Sequence, residues 1–173
     1  MAIEIRVMTA EDWESVRSIY LAGIATGQAT FETEAPSWEN WNKTHLPAPR
    51  LVAISEERIA GWAALSPVSA RPVYGGVAEV SVYVGEEMRG RGIGALLLEA
   101  LVQESERNGI WTLQAGIFPE NAASLTLHKS FGFREVGTRE RIGKMQGVWR
   151  NTLLFERRSK LVGNDQVLNA RSG

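Results

Sequence analysis

Hydrophobic and polar residues alternate along several short stretches of the chain, and elsewhere the hydrophobic residues recur every three or four positions. Alternation predicts β-strands, and the wider spacing predicts amphipathic helices. The predicted strands cover residues 3–8, 51–55, 59–66, 79–84, 111–118, 133–142 and 148–157. The predicted helices cover residues 10–27, 37–46, 93–107 and 122–131. This order indicates an α/β (α+β) chain with a mixed sheet that is parallel only near its centre.

The ends of the predicted helices carry residues that are typical of helix caps. Thr9 with Asp12 resembles a capping box, and Ser37 and Asn121 precede the second and fourth helices. The polar stretch 28–37 shows no periodicity and contains a proline, so it is a loop. Two interpretations of this loop stay open, the wall of a pocket or a plain connector.

Length and composition indicate an ordinary globular protein. The 173 residues suffice for one domain, predicted at residues 1–158, with a flexible tail at residues 159–173. Hydrophobic residues make up 44% of the chain and charged residues 23%, and the net charge is −1. Such a charge balance gives no general attraction to nucleic acid or to an anionic membrane, so neither is predicted as a partner.

Residue types that bind metals are scarce in this chain. It contains no cysteine and only two histidines, so neither a disulfide nor a metal site is predicted. The N-terminal residues lack the apolar run of a signal peptide, and no apolar stretch reaches 18 residues. A cytoplasmic location is therefore the expectation.

Residues 79–98 combine an alternating strand, a turn rich in glycine and arginine, and a helix. Glycines at 90, 92 and 94 allow the backbone N–H groups to converge at the positive end of the helix dipole, which predicts a phosphate-binding loop. The Lys-Ser/Thr pair of a Walker loop is absent after Gly92. The next strand, 111–118, ends without the acidic residue of a dinucleotide-binding fold.

The spacing Arg89-x-x-Gly92-x-Gly94 between a strand and a helix resembles the acyl-CoA loop of the GCN5-related N-acetyltransferase (GNAT) superfamily. Asn121 and the sequence SFGF at 130–133 follow in the order found in that superfamily. Residues 71–84, 115–133 and 143–149 further resemble the branch that acetylates phosphinothricin and methionine sulfoximine. The resemblance extends over residues 3–157 and implies a mixed sheet of about seven strands with about four helices.

The resemblance implies acetyl-CoA as the co-substrate and assigns residues to it. The backbone of Val82, Tyr83 and Val84 would bind the pantetheine arm as an added strand. The pyrophosphate would contact the turn formed by Arg89, Gly90, Arg91, Gly92, Ile93, Gly94 and Ala95. Asn121 would also reach the cofactor, a role that is compatible with capping a helix, whereas Arg91 is either a cofactor contact or a solvated surface residue.

Acetyl transfer requires a neutral amine, and in the family a glutamate at the position of Glu79 is the proposed general base. The alternative for Glu79 is a surface residue at a strand end. His128 stands where many members of the superfamily have a tyrosine acid. It is a candidate catalytic residue, but a cofactor contact and a histidine that packs a helix are open alternatives.

The acceptor is expected to be a small anionic amino-acid analogue, because the resemblance places Arg71 and Tyr74 in the substrate site. Phe31, Glu79, Val80 and Ser81 are the further candidate substrate contacts. The chain departs from its relatives in having valine at 80 and methionine at 145. The resemblance also suggests a homodimer with its interface near Trp149.

The sequence alone leaves two other functions open. The same chemistry could act on another amine, such as a polyamine, an antibiotic or a protein N-terminus. The chain could also be an acyl-CoA sensor that binds the cofactor and transfers nothing.

Overall fold

The computed structural model describes residues 2–165 as one seven-stranded sheet with helices on both faces. The strands are β1 (Glu4–Val7), β2 (Arg50–Ser55), β3 (Arg58–Pro67), β4 (Val77–Val84), β5 (Thr112–Ile117), β6 (Arg134–Met145) and β7 (Val148–Arg158). The α-helices are α1 (Trp13–Ala25), α2 (Trp38–Thr44), α3 (Ile93–Arg107) and α4 (Ala122–Ser130). Short 3-10 turns occupy Ala10–Asp12, Pro72–Tyr74 and Glu86–Met88. The predicted mixed sheet and its helices are confirmed.

The strand order is β1-β2-β3-β4-β5-β7-β6, and only β4 and β5 are parallel. Their pairing covers three rungs, from Val77 opposite Thr112 to Glu79 opposite Gln114. Beyond Glu79 the two strands separate, although β4 stays paired with β3 as far as Val84. The sheet therefore opens into a cleft at its centre.

Alternating side chains of the central strands supply two separate hydrophobic clusters. Leu51 and Ala63 point to the face covered by α3, where Leu97 and Leu101 are fully buried. Val52 and Trp62 point to the opposite face, which α1 and α2 cover. Each face of the sheet thus has its own core, and the edges of β4 and β5 in the cleft lie between them.

Ser37 and Asn121 cap α2 and α4 as predicted, whereas the Thr9–Asp12 capping box starts the 3-10 turn Ala10–Asp12 and α1 itself begins at Trp13. Asp12 accepts a hydrogen bond of 2.8 Å from the Thr9 N–H and is paired with Arg6 at 2.8 Å, so the pKa of its carboxyl is lowered. Ser37 accepts a bond from the Asn40 N–H at 3.2 Å. The Asn121 side chain accepts a bond from the Ser124 N–H at 3.1 Å, which starts α4 next to the cleft.

Two hairpin turns use left-handed backbone conformations. The β2–β3 turn consists of Glu56 and Glu57, with φ of +50° and +62°. The β6–β7 turn consists of Gln146 and Gly147, with φ of +49° and +80°. Because this second turn is so tight, β6 extends to Met145, three residues beyond its predicted end. Pairing with β5 likewise makes β4 begin at Val77 instead of Glu79.

The segment after β7 is attached to the sheet. The Ser159 N–H donates to the Trp111 carbonyl at 2.8 Å, and its hydroxyl donates to Glu106 at 2.8 Å. The Arg158 guanidinium donates to the carbonyls of Val162 and Gly163. The tail predicted to be flexible from residue 159 therefore starts with a bonded segment, and residues 166–173 lie outside the described residues.

Within residues 2–165, no helical segment combines the length and the apolar character that spanning a bilayer requires. The same part of the chain contains no group of three or more histidine and acidic side chains placed to bind a metal ion. The cytoplasmic location stays a prediction.

Candidate active site

The cleft between β4 and β5 continues into a cavity of about 700 Å³. Its walls come from the two diverging strands, the loop after α1, the helix α4 and the β6–β7 hairpin. These segments are far apart in the sequence, and the sheet topology is what brings them together. The loop predicted at 28–37 contributes to this wall through residues 28–32.

Glu79 lies at the last rung before the strands separate. It is opposite Ser66 on β3 and Gln114 on β5, and it is exposed. Glu79 and Ser81 line the main cavity and also a second cavity of about 600 Å³ behind the 28–37 loop. The carboxylate therefore stands where the cleft and the space behind the loop meet.

The edge of β4 that faces the cleft has no strand partner beyond Glu79. Tyr83 stacks on Trp62 at a centroid distance of 4.9 Å and meets Tyr20 edge-on at 5.0 Å. Burial raises the pKa of the Tyr83 hydroxyl and raises that of Tyr20 to about 12, so both rings are neutral. The Tyr83 side chain thus packs in the core, while backbone groups of residues 80–84 remain free to bind an extended ligand.

The glycine-rich turn has the backbone conformation that its sequence predicts. Gly90 and Gly92 have φ of +76° and +80°, which other residues adopt only with strain. The first bond within α3 runs from the Leu96 N–H to the Gly92 carbonyl. The N–H groups of residues 93–95 therefore face out of the helix end, as an anion-binding site requires. Gly94 lies in ordinary helical backbone near Leu127 and Val84.

The two arginines of this turn differ in their surroundings. Arg89 lines the main cavity together with Gly94. Arg91 is exposed and does not line that cavity. Neither guanidinium forms an ion pair with a side chain in the described part of the chain. Arg89 is thus the better placed of the two for a pyrophosphate.

Asn121 connects the two sides of the cavity. Its side-chain oxygen caps α4, and its Nδ2 donates to the Gln28 carbonyl at 3.2 Å. One of its two amide hydrogens is thereby left for a ligand. The capping role and a cofactor contact are therefore compatible.

His128 is buried, with 5% of its surface exposed, and it lines the main cavity. Its Nδ1 lies 2.7 Å from the Ser124 carbonyl, which only accepts, so Nδ1 carries the proton. The ring packs edge-on against Phe133 at 5.1 Å. Burial lowers the pKa of His128, and the neutral ring leaves Nε2 as an acceptor. This geometry fits helix packing and hydrogen-bond acceptance, and does not fit a general acid at neutral pH.

The candidate acceptor contacts separate into two groups. Phe31, Val80 and Ser81 line the main cavity. Arg71 precedes the 3-10 turn at 72–74 and Tyr74 ends it; they line neither cavity and contact each other, with the guanidinium 5.6 Å from the ring centroid. Tyr74 is 45% exposed. Glu79 lines both cavities, so these two residues do not share its cavity walls.

The β6–β7 hairpin contributes three residues that the sequence did not indicate, namely Arg139, Ile142 and Thr152. Arg139 pairs regularly with Thr152, whereas Ile142 lies in the irregular segment between Arg139 and Gly143, where β6 holds two extra residues. Arg141 in this irregular segment has φ of +47° and donates its N–H to Asn151. A positive-φ arginine inside a strand gives no signal in the sequence.

Charges of both signs line the main cavity. Glu32 and Glu79 supply the carboxylates, and Arg89 and Arg139 supply the guanidinium groups. Arg139 lies on the β6–β7 hairpin, whereas Arg89 lies in the glycine-rich turn before α3. The cavity therefore offers two guanidinium groups to the anionic parts of a ligand, and it carries the Glu79 carboxylate at the last rung between the strands.

A model of the acetyltransferase (GNAT) family matches residues 11–133 of the chain. Phosphinothricin N-acetyltransferase from Streptomyces coelicolor is 33% identical over 163 residues, which cover 90% of this chain and 95% of that protein. L-methionine sulfoximine/L-methionine sulfone acetyltransferase from Pseudomonas aeruginosa is 32% identical over 127 residues, covering 73% and 69%. A crystal structure of a phosphinothricin acetyltransferase from Sinorhizobium meliloti in complex with AcCoA has a TM-score of 0.82 at 28% identity, covering 96% and 98%.

The surroundings of His128 predict its titration. Since burial lowers its pKa, the folded protein should keep the ring neutral below pH 6.5, the value for a free histidine, at about which the unfolded chain takes up a proton. Stability should consequently fall as the pH drops through that range. Ring nitrogen chemical shifts measured by NMR from pH 8 to 5 should show protonated Nδ1 and a midpoint below about 6.5. A midpoint above that value would contradict the assignment.

Proposed function

Because this chain belongs to the GNAT family of acetyltransferases and is an acetyl-CoA-dependent N-acetyltransferase, we propose that it acetylates the α-amine of a small amino-acid analogue with Glu79 as the general base. The position of Glu79 at the opening of the sheet carries this proposal. The relatives named for phosphinothricin and methionine sulfoximine support the class of acceptor.

Three features of the cleft fit acetyl-CoA. The free edge of β4 at residues 82–84 can pair with the two amides of a pantetheine arm. The N–H groups at the start of α3 and the Arg89 side chain suit a pyrophosphate. The remaining amide hydrogen of Asn121 is available to donate to a carbonyl of the same ligand. Acetyl-CoA supplies the thioester that the amine attacks.

The proton balance of the transfer determines what the protein must do. An ammonium group loses two protons when it becomes an amide; one is released and one ends on the thiol of CoA. We assign the first removal to the Glu79 carboxylate, directly or through a water molecule. Neutral His128 has no proton to donate from Nε2, so its proposed role is to accept a hydrogen bond and to hold the wall formed by α4.

Arg139 is the proposed partner for the carboxylate of the acceptor. It lines the cavity that contains Glu79, and it forms no ion pair with the described residues. A guanidinium binds a carboxylate or a phosphinate through two parallel hydrogen bonds. Phe31, Val80 and Ser81 would contact the rest of the acceptor. The roles predicted for Arg71 and Tyr74 stay predictions, since neither residue lines either of the two cavities described above.

A homodimer is the proposed assembly. The outer strand β6 and the start of β7 expose several large apolar side chains, with 44% to 62% of their surfaces accessible: Val136, Ile142, Val148 and Trp149. An exposed strand edge that carries apolar residues is a favourable surface for association with a second copy. Trp149, at 57% exposure, is the most prominent of them by size.

Replacement of Glu79 by glutamine should abolish the base without changing the shape of the cleft. We expect kcat to fall by about 10² to 10⁴, with acetyl-CoA binding by calorimetry unchanged. Thiol release in the presence of phosphinothricin or methionine sulfone measures the rate. Glu87→Gln, an exposed glutamate that lines neither cavity, is the matched control. Full activity of Glu79→Gln would exclude Glu79 as the base, and acetyl-CoA binding without transfer to any amine would favour the sensor.

The two arginine hypotheses give opposite results. If Arg139 binds the acceptor carboxylate, Arg139→Ala should raise the KM of an amino-acid acceptor by about 10-fold to 100-fold, the loss expected for a charge-assisted contact of about 1.5–3 kcal/mol. Arg71→Ala should then change it little. The acceptors tested should include an amine that matches the amino-acid acceptor but lacks its carboxylate, a polyamine and a peptide with a free N-terminus. A larger effect at Arg71 would support the site predicted from the sequence.

Sedimentation velocity tests the assembly. The wild type should sediment as a dimer, and Trp149→Lys should shift it toward the monomer because a charge would be placed in an apolar interface. Val73→Lys, a similarly exposed apolar residue far from the hairpin, is the control. A monomeric wild type at all concentrations would refute the dimer.

A further inference from the structure

Arg150 lies on β7 behind the wall of the main cavity and does not line it. Only 14% of its side chain is exposed, which is unusual for an arginine on the hairpin. We propose that Arg150 is a positioning residue for acetyl transfer, which holds the loop after α1 in place as one wall of the acceptor space. The proposal rests on the acetyltransferase activity, and it does not depend on Glu79 or on the identity of the acceptor.

The guanidinium of Arg150 forms hydrogen bonds with two separate segments. It donates to the Gly27 carbonyl at 2.5 Å and to the Gln28 side-chain oxygen at 2.8 Å. A third bond of 3.2 Å reaches Glu120, in the loop between β5 and α4. The Glu120 side chain is 60% exposed, so this ion pair contributes little. The bonds to Gly27 and Gln28 are the ones that fix the loop.

The same guanidinium covers an aromatic pair. It lies 3.8 Å from the centroid of the Phe118 ring, a short distance for a cation–π contact. Phe118 is buried and meets Phe31 edge-on at 4.9 Å. Phe118 and Phe31 both line the cavity. Arg150 therefore packs on the side of Phe118 that faces away from the cavity, and it stabilises the aromatic wall formed by Phe31 and Phe118.

The Phe31 ring packs against the backbone of Gly143 on β6. A methyl group at Gly143 would lie 2.7 Å from the Phe31 ring, closer than any real side chain approaches. The φ of Gly143 is not in the left-handed region, so the glycine is needed here for space. The ring of Phe31 is thus confined between Phe118 and the backbone of β6.

Asn121, the proposed cofactor contact, also holds the loop that Arg150 binds. Its Nδ2 donates to the carbonyl of Gln28, whose side chain accepts from Arg150. The segment from Gly27 to Phe31 is consequently held at one end by Arg150 and Asn121 and at the other by the aromatic contacts. A shift of this segment moves one wall of the acceptor space and leaves β4 and the glycine-rich turn in place.

Steady-state kinetics of Arg150→Ala test the proposal. The KM of the acceptor should rise by about tenfold or more, since small displacements of a positioning wall have effects of that size. kcat and the Kd of acetyl-CoA from calorimetry should change less than about threefold, because the free edge of β4 is untouched. Arg150→Lys should recover only part of the loss, since an ammonium lacks the planar fork. Arg134→Ala, which removes an exposed arginine paired with Glu156 on the same hairpin, is the control.

Further variants separate positioning from general destabilisation. Gly143→Ala keeps Arg150 but displaces Phe31, so it should raise the same KM. Arg150→Ala in a Phe31→Ala background should add little to the effect of Phe31→Ala alone, because both act on one wall. An acceptor KM within twofold of the wild type in Arg150→Ala, or an equal loss of acetyl-CoA affinity, would overturn the proposal.

Hydrogen exchange gives a readout that needs no turnover. In Arg150→Ala, exchange within residues 26–32 should accelerate relative to the wild type, while exchange in α3 stays unchanged. This measurement holds even if the acceptor proposed above is wrong, so the two proposals can fail independently. Unchanged exchange in residues 26–32 would show that Arg150 does not hold the loop.

Discussion

The early end of the pairing between β4 and β5 is the constraint on which the rest of the site depends. Three rungs join the strands, and the last joins Glu79 to Gln114. Had the ladder continued, the edge of residues 80–84 would be satisfied within the sheet and no cavity would exist between the strands. The separation frees backbone hydrogen-bonding groups at the point where a carboxylate stands. One structural feature thus provides both the binding edge and the position of the candidate base.

The open cleft is stable because each half of the sheet is held from its far side. β4 is paired with β3 up to Val84, and β5 is paired with β7 along its whole length. The start of α3 and the helix α4 fill the bottom of the cleft, where Gly94 faces Leu127 and Val84. A Cβ at this position would lie 3.5 Å and 3.7 Å from those two side chains, which is ordinary contact, so the packing here does not itself require glycine. Apolar packing of α3 against β4 contributes to holding the open arrangement.

The sequence was sufficient for features that depend on local patterns. Periodicity predicted the seven strands and four helices, and the left-handed Gly90 and Gly92 follow from their spacing. Features that depend on the register between strands, or on contacts between distant residues, could not be predicted from the sequence. Arg139 lines the cavity through the pairing of β6 with β7, and Arg150 contacts Gly27, 123 residues away. Conversely, Arg71 contacts Tyr74 on an exposed turn, a local preference that motif spacing does not reveal.

The cost of removing a proton from the amine bears on which acceptor the proposed reaction favours. An α-amine with a pKa of about 7.7–8.0 loses its proton at pH 7 at a cost of about 1–1.4 kcal/mol, whereas a lysine side chain near 10.4 costs about 4.6 kcal/mol. With Glu79 as the proposed base, the site offers one solvent-exposed carboxylate, and the His128 ring in the same cavity is neutral. The smaller cost of deprotonation favours the first amine over the second. The proposed preference for an α-amine therefore rests on the acidity of the acceptor as well as on the contacts proposed to hold it.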